Sequence, residues 1–208
     1  MFKNNKIILH KKNGKSRIVH FIKGLSISFK GSNSIVEIYE PISFNKRFIF
    51  SRSKFRISGD NNHIIIKASN RKIYSLQIKN LKNNNKIIIG ENFYQTGTCN
   101  IDFGNLSNME LRIGNDCMFG QNTEFMLGDH HKIFDANTNE QTNISKSGIN
   151  IGNRVWLARQ VKIMKDVTLA DDTIVAIGSI ITKSFTKSNV LLGGAPAKIL
   201  KENVYWKI

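Results

Sequence analysis

Residues 151–181 read IGNRVW LARQVK IMKDVT LADDTI VAIGSI I, and an aliphatic side chain opens every group of six: Ile151, Leu157, Ile163, Leu169, Val175 and Ile181. Small residues often follow it, as Gly152, Ala158, Ala170 and Ala176 do. Four places after each aliphatic stands a second inward candidate: Val155, Val161, Val167, Thr173, Ser179 and Phe185. Six matches neither the three-and-four spacing of a helix face nor the two-residue alternation of a strand. It suits a triangular coil, in which each hexad makes one short strand and a corner. Three hexads then close a turn, and equivalent side chains stack about 4.8 Å apart along the axis.

The same frame runs backward through Phe125, Phe119, Ile113, Ile101 and Ile89, with Gly90, Gly114 and Gly120 at the small position. Phe125 and Ile151 are 26 apart, two more than four hexads, so a loop over residues 126–150 interrupts the register. Cys99 and Cys117 fall on the inward fifth position, three hexads apart, which predicts stacked, reduced core thiols on one face. Upstream of Lys86 the hexads degrade. Short β-rich runs continue at Ile35–Ile38, Phe48–Phe50 and Ile64–Ile66, with Asn and Gly turn residues before several of them. We read one domain: residues 1–85 as an irregular β-rich N-terminal extension of the solenoid, 86–201 as the hexapeptide solenoid, and 202–208 as a tail. A separate β-rich cap is the rival for the first segment.

Lys and Arg total 31 against 15 Asp and Glu, a formal charge of +16, which favours polyanionic partners. The longest apolar run near the start, Ile7-Ile8-Leu9, is too short for a secretory leader, and no stretch approaches the roughly 20 apolar residues of a spanning helix. A soluble cytoplasmic protein is expected, with at most peripheral association at the inner face of the membrane. Two cysteines exclude a disulfide scaffold and a multi-Cys zinc site. Basic residues scattered among strands, without a recognition motif, argue against nucleic acid.

The run Ile151–Leu157, the hexads to Lys183 and the closing Gly193-Gly194-Ala195-Pro196-Ala197-Lys198 together resemble the hexapeptide-repeat acyltransferases, notably the bacterial capsular and surface-polysaccharide O-acetyltransferases. The resemblance covers roughly Lys86 to Lys201. It implies an all-β, left-handed parallel β-helix with an inserted catalytic loop, acetyl-CoA as co-substrate, no metal, and a homotrimer with active sites between subunits. Ala158, Met164, Ala170 and Ala176 depart from the family's Gly or Pro-Gly spacing, and Ser184-Phe185-Thr186 replaces an acidic, Pro-containing turn.

The interruption contains Asp129-His130-His131-Lys132-Ile133-Phe134-Asp135. Two histidines and two aspartates in the one loop that breaks a regular solenoid suit a general base, because a sugar hydroxyl must lose its proton as it attacks a thioester. The segment also resembles the family's catalytic motif of Asp, a variable residue, His and a later Asp, which makes His131 the base and His130 the other candidate. Asp129 or Asp135 would orient the imidazole. Trp156, outward on its hexad, reads as a subunit-interface aromatic or as a wall and N–H donor of the acceptor or CoA site. The family's CoA position points to Ala158, Arg159, Ala176, Ile177, Thr182 and Lys183, with Lys198 or Lys201 near the phosphates. His10, His20 and His63 show no metal spacing, and adjacent His130 and His131 suit no shared zinc ion.

These features lead to an acetyl-CoA-dependent O-acetyltransferase acting on a hydroxyl of an acidic capsular polysaccharide, the sialic-acid polymers included. An N-acetyltransferase of nucleotide-linked amino sugars and a non-catalytic glycan-binding solenoid are the alternatives.

Overall fold

The structure is a computed structural model describing residues 4–40 and 50–207; Phe48 and Ile49 of one expected β-run lie outside it. Strands of two to six residues wind into three sheets, the walls of a triangular prism. Sheet I holds Lys6–His10, Ser16–Val19, Ile35–Tyr39, His63–Ile66, Lys86–Ile89, Glu110–Ile113, Gly148–Ile151 and Thr168–Leu169. Sheet II holds Phe50–Ser51, Ile73–Tyr74, Tyr94–Gln95, Met118–Phe119, Trp156–Leu157, Ile174–Val175, Val190–Gly194 and Ala197–Glu202. Sheet III holds Leu25–Phe29, Ser53–Ile57, Leu76–Leu81, Cys99–Asp102, Thr123–Met126, Lys162–Ile163 and Ile180–Ile181. Pairing is parallel except at the two ends. There Lys6–His10 pairs antiparallel with Ser16–Val19, and Val190–Gly194 with Ala197–Glu202. The strands upstream of Lys86 lie in the same three sheets as those downstream.

The six-residue frame accounts for the interior. Ile151, Leu157, Ile163, Leu169, Val175 and Ile181 are all buried, as are Val155, Val161, Val167 and Phe185. They join one continuous core running from Leu25 to Ala197. Thr173 and Ser179 are tolerated in it because each hydroxyl donates to a backbone carbonyl, Ala170 O at 2.8 Å and Ala176 O at 2.7 Å.

Two expectations need correction. Three hexads close a turn only after Gly148, where Asn150 pairs with Thr168 and Trp156 with Ile174, 18 residues on. Earlier turns are longer: Lys86 pairs with Glu110, 24 residues on, and with His63, 23 back. The added length lies between Asp102 and Glu110, where buried Phe103 and a turn closed by Leu106 N–H on Phe103 O widen the corner from sheet III to sheet I. For the same reason Cys99 and Cys117 do not share a face. Cys99 pairs with Leu76 and Thr123 on sheet III. Cys117 precedes the sheet II strand Met118–Phe119, and its thiol donates to Gly152 O at 3.2 Å. Both are buried free thiols.

Corners require left-handed backbone, and Asn and Asp supply most of it. Asn61, Asn84 and Asn108 stack at one corner with φ of 56°, 58° and 60°, and their side-chain amides bond one another in a ladder. Close stacking also explains the small residue of each hexad. A Cβ at Gly114 would lie 2.5 Å from Gly152 O, and one at Gly120 2.7 Å from the backbone of Ala158 and Arg159.

Candidate active site

Between Met126, which ends a strand of sheet III, and Gly148, which begins one of sheet I, the chain leaves the solenoid. The excursion folds back on itself as a narrow hairpin, with a bridge between Phe134 and Gln141 and Thr142 N–H donating to Ile133 O. Its re-entry is fixed by Asp166, whose Oδ1 accepts the backbone N–H groups of Lys146 and Ser147 at 2.8 Å each.

The base of the loop is held from the coils on both sides. Toward the C-terminal coils, Lys165 Nζ donates to Asp129 Oδ2 and to Asn143 O. Asn143 in turn donates to Asp129 Oδ2 at 2.7 Å and to His131 O at 2.8 Å, and it accepts Ile133 N–H at 2.8 Å. The Lys165 ammonium holds the Asp129 carboxyl below its usual range, against some loss of hydration. Toward the N-terminal coils, His130 Nε2 lies 3.3 Å from Asp102 Oδ2. Asp102 is nearly buried and also receives Gly104 N–H at 2.9 Å, Asn80 Nδ2 at 2.7 Å and Lys79 Nζ at 3.1 Å. A cavity of about 300 Å³ opens here, lined by Lys79, Asn100, Asp102, Glu124, Met126 and His130.

His131 is therefore fixed through its backbone while its side chain is exposed, and its ring makes no hydrogen bond or ion pair among the described residues. Asp129 is engaged by Lys165. Asp135 accepts the N–H groups of Asn137 and Thr138 at 2.8 and 2.9 Å, which lowers its pKa and caps the hairpin tip. Neither carboxylate bonds the His131 ring in a single chain.

Trp156 stands on sheet II, the wall opposite the corner from which the loop emerges. It lines a cavity of about 230 Å³ with Thr96, Met118, Phe119, Gly120, Ala158, Arg159 and Ile177. Ala176 lies on the same corner, its N–H on Leu192 O, and Lys198 and Lys201 extend from the terminal hairpin of this sheet. Thr182 and Lys183 are elsewhere. They follow the sheet III strand Ile180–Ile181, on the corner that also bears the histidine loop. The structure thus sorts the expected residues into two groups: Trp156, Ala158, Arg159, Ala176, Ile177, Lys198 and Lys201 on one, and His130, His131, Asp129, Asp135, Thr182 and Lys183 on the other.

Four residues that support these groups carry no local sequence signal: Asp102, Asn143, Lys165 and Trp206. Trp206 packs against Trp156 with ring centroids 6.0 Å apart and donates its indole N–H to Arg154 O at 2.6 Å. The cysteines are no alternative nucleophiles. Burial pushes both thiols up to about 12, so neither supplies a thiolate at neutral pH.

No protein-family model matches the chain. It is 29% identical over 187 residues to the polysialic acid O-acetyltransferase of Neisseria meningitidis, covering 81% of this chain and 86% of that relative. To the polysialic acid O-acetyltransferase of Escherichia coli O1:K1 it is 34% identical over 96 residues, 46% of this chain; it spans only 31% of that relative's length. The solved structure of the polySia-specific acetyltransferase NeuO matches with a TM-score of 0.72 at 25% identity, covering 99% of this chain and 85% of that one.

Proposed function

We propose that the chain is a hexapeptide-repeat acyltransferase, a left-handed parallel β-helix, and that it transfers an acetyl group from acetyl-CoA to a hydroxyl of an acidic capsular polysaccharide. The observation that carries the reading is the loop, which presents the His131 imidazole to solvent from a base clamped by Asp129, Asn143 and Lys165. The polysialic acid acceptor of the relatives and the charge of +16 both favour an anionic polymer.

In the transfer, neutral His131 accepts the proton of the sugar hydroxyl as its oxygen attacks the thioester carbonyl. The tetrahedral adduct collapses with cleavage of the C–S bond, and the imidazolium returns the proton to the departing CoA thiolate. The products are an acetyl ester and CoA. No acyl-enzyme intervenes, in keeping with the two buried thiols. The pantetheine arm fits the apolar cavity beside Trp156, where Ala158 and Ala176 leave the corner narrow, and Arg159 stands exposed for the phosphates.

The complete site is formed between copies of the chain, in a homotrimer. Within one chain the Trp156 wall and the histidine loop face different directions, and apolar side chains are exposed on both: Ile133, Phe134 and Ile144 on the loop, Ile177 beside the cavity. A cytoplasmic location is part of the proposal, and the two free buried cysteines and the acetyl-CoA donor support it. No helix of the described residues is long and apolar enough to cross a membrane.

The test is release of free CoA thiol with polysialic acid, neutral glycans and nucleotide-linked amino sugars, comparing wild type with His131→Ala. We expect turnover on the acidic polymer and a loss of about 100- to 10,000-fold in the variant. A folded protein that binds no CoA and acetylates no acceptor, or a variant that keeps the full rate, overturns the proposal.

A further inference from the structure

The positive charge is not spread along the chain. Residues 1–85 contain 18 Lys and Arg against 3 Asp and Glu, whereas residues 86–208 contain 13 against 12. Of the net +16, +15 therefore lies in the N-terminal segment, and the segment that bears the histidine loop and Trp156 is almost neutral. Acetyl transfer from CoA does not call for that separation.

Part of this charge converges on sheet II. Arg52, Arg71 and Lys72 are exposed. Arg52 Nη1 donates to Tyr74 Oη at 2.8 Å, with its guanidinium 5.7 Å from that ring's centroid, and the Arg71 guanidinium lies 5.2 Å from the Tyr94 centroid. The register Gln95↔Ile73 sets Tyr94 beside Lys72. The pairings Tyr94↔Met118 and Met118↔Trp156 then continue the same outward column to the tryptophan. At about 4.8 Å per coil, Lys72 stands roughly 14 Å from Trp156 along one straight ladder.

We propose that this column is an acceptor track: an acidic polysaccharide lies along the outside of sheet II, its carboxylates on Arg52, Arg71 and Lys72 and its sugar faces against Tyr74 and Tyr94. Guanidinium groups pair with carboxylates, and tyrosine rings offer an apolar body with a polar tip to the C–H faces of sugars. The track ends at Trp156, so a polymer is held by several of its sugars while one hydroxyl reaches the transfer site. That last step rests on the acetyltransferase reading above; the binding itself does not. An uncharged glycan or a single sugar cannot use the track, whereas a polymer with one carboxylate per sugar uses all of it, with affinity that grows with length and falls with salt. Continuity with Trp156 favours a glycan over a nucleic acid or a membrane, neither of which has reason to be led there.

The experiment compares wild type with Arg52→Ser/Arg71→Ser/Lys72→Ser and, as a control for charge alone, with Lys15→Ser/Arg17→Ser on the N-terminal hairpin. Binding of polysialic acid and of a sialic acid trimer is measured without acetyl-CoA, and kcat/KM for both acceptors is measured with it. In the track variant we expect polymer binding, and the polymer's kcat/KM advantage over the trimer, to fall at least about tenfold, with a shallower salt dependence. The control should lose far less. Equal losses in the two variants, or an unchanged polymer advantage, overturn the track. So does equally tight, equally track-dependent binding to duplex DNA or to phosphatidylserine vesicles, which removes the glycan as its ligand. If the wild type transfers no acetyl group yet binds the polymer through these residues, the acetyltransferase reading fails and the track stands. If transfer persists and binding ignores the substitutions, the reverse holds.

Discussion

At the scale of single residues, the loop depends on carboxylates that are satisfied in specific ways. Burial raises the pKa of Asp102, but the hydrogen bonds from Gly104 N–H, Asn80 and Lys79 outweigh it and hold the carboxyl below its ordinary value. A depressed folded value means that the unfolded chain binds the proton more readily. The stabilisation is therefore complete above the unfolded carboxyl value of about 4 and is lost as pH falls through the folded value. Asp102→Ala should cost about 2 kcal/mol at pH 7, because it strands the buried Gly104 N–H and leaves the half-buried Asn80 amide and Lys79 ammonium without their acceptor. In urea unfolding the gap to wild type should narrow at pH 3; an equal gap at both pH values would count against an ionised Asp102. This residue was not legible in the sequence, unlike His130 and His131. The histidines announce themselves by crowding into the one break of a regular pattern. Asp102 meets His130 only because a full coil separates them, and the length of that coil is set by the extra corner residues from Phe103 to Met109.

At the scale of the coil, the periodic pattern predicts which residues point inward better than it predicts how many make a turn. The inward positions follow from a physical requirement, since each hexad must bury its first and fifth side chains against the core. Turn length depends on corner geometry, and a corner grows by six residues without disturbing the frame, as it does before Glu110. The abundance of Asn, which as composition resembles a coding bias, has a structural reason in the positive-φ ladders of the corners. Phe119 shows how neighbouring coils are coupled. Its ring meets Phe93 edge-on at 5.0 Å and Phe125 at 5.3 Å, and its strand pairs with Trp156–Leu157. Each coil contacts only its neighbours, so a cavity here loosens the strand that bears Trp156 as well as its own. Phe119→Ala should destabilise the chain by about 3–5 kcal/mol. CoA affinity should weaken along with the urea midpoint; if the midpoint falls and CoA binding stays unchanged, the coupling between coils is absent.

At the scale of the whole molecule, the division of the site between two parts of the prism carries the strongest consequence. Trp156 and Arg159 stand on sheet II and the corner after it, whereas the loop with His131 leaves the corner between sheets III and I. If one chain formed a complete site by itself, His131→Ala and Trp156→Ala would each disable every site that contains them. A mixture of the two proteins would then remain as inactive as its parts. If each site takes its tryptophan wall from one chain and its histidine from the next, mixed assemblies contain sites with both groups intact. Random exchange of equal amounts places an intact Trp156 beside an intact His131 in roughly one site of four, so a closed ring of subunits should regain about a quarter of wild-type activity. The measurement is thiol release after the two variants are unfolded together and refolded, against each refolded alone. Recovery near a quarter supports the shared site. Mixed oligomers that form and stay at the background of the single variants would return Trp156 to a structural role and confine the chemistry to one chain.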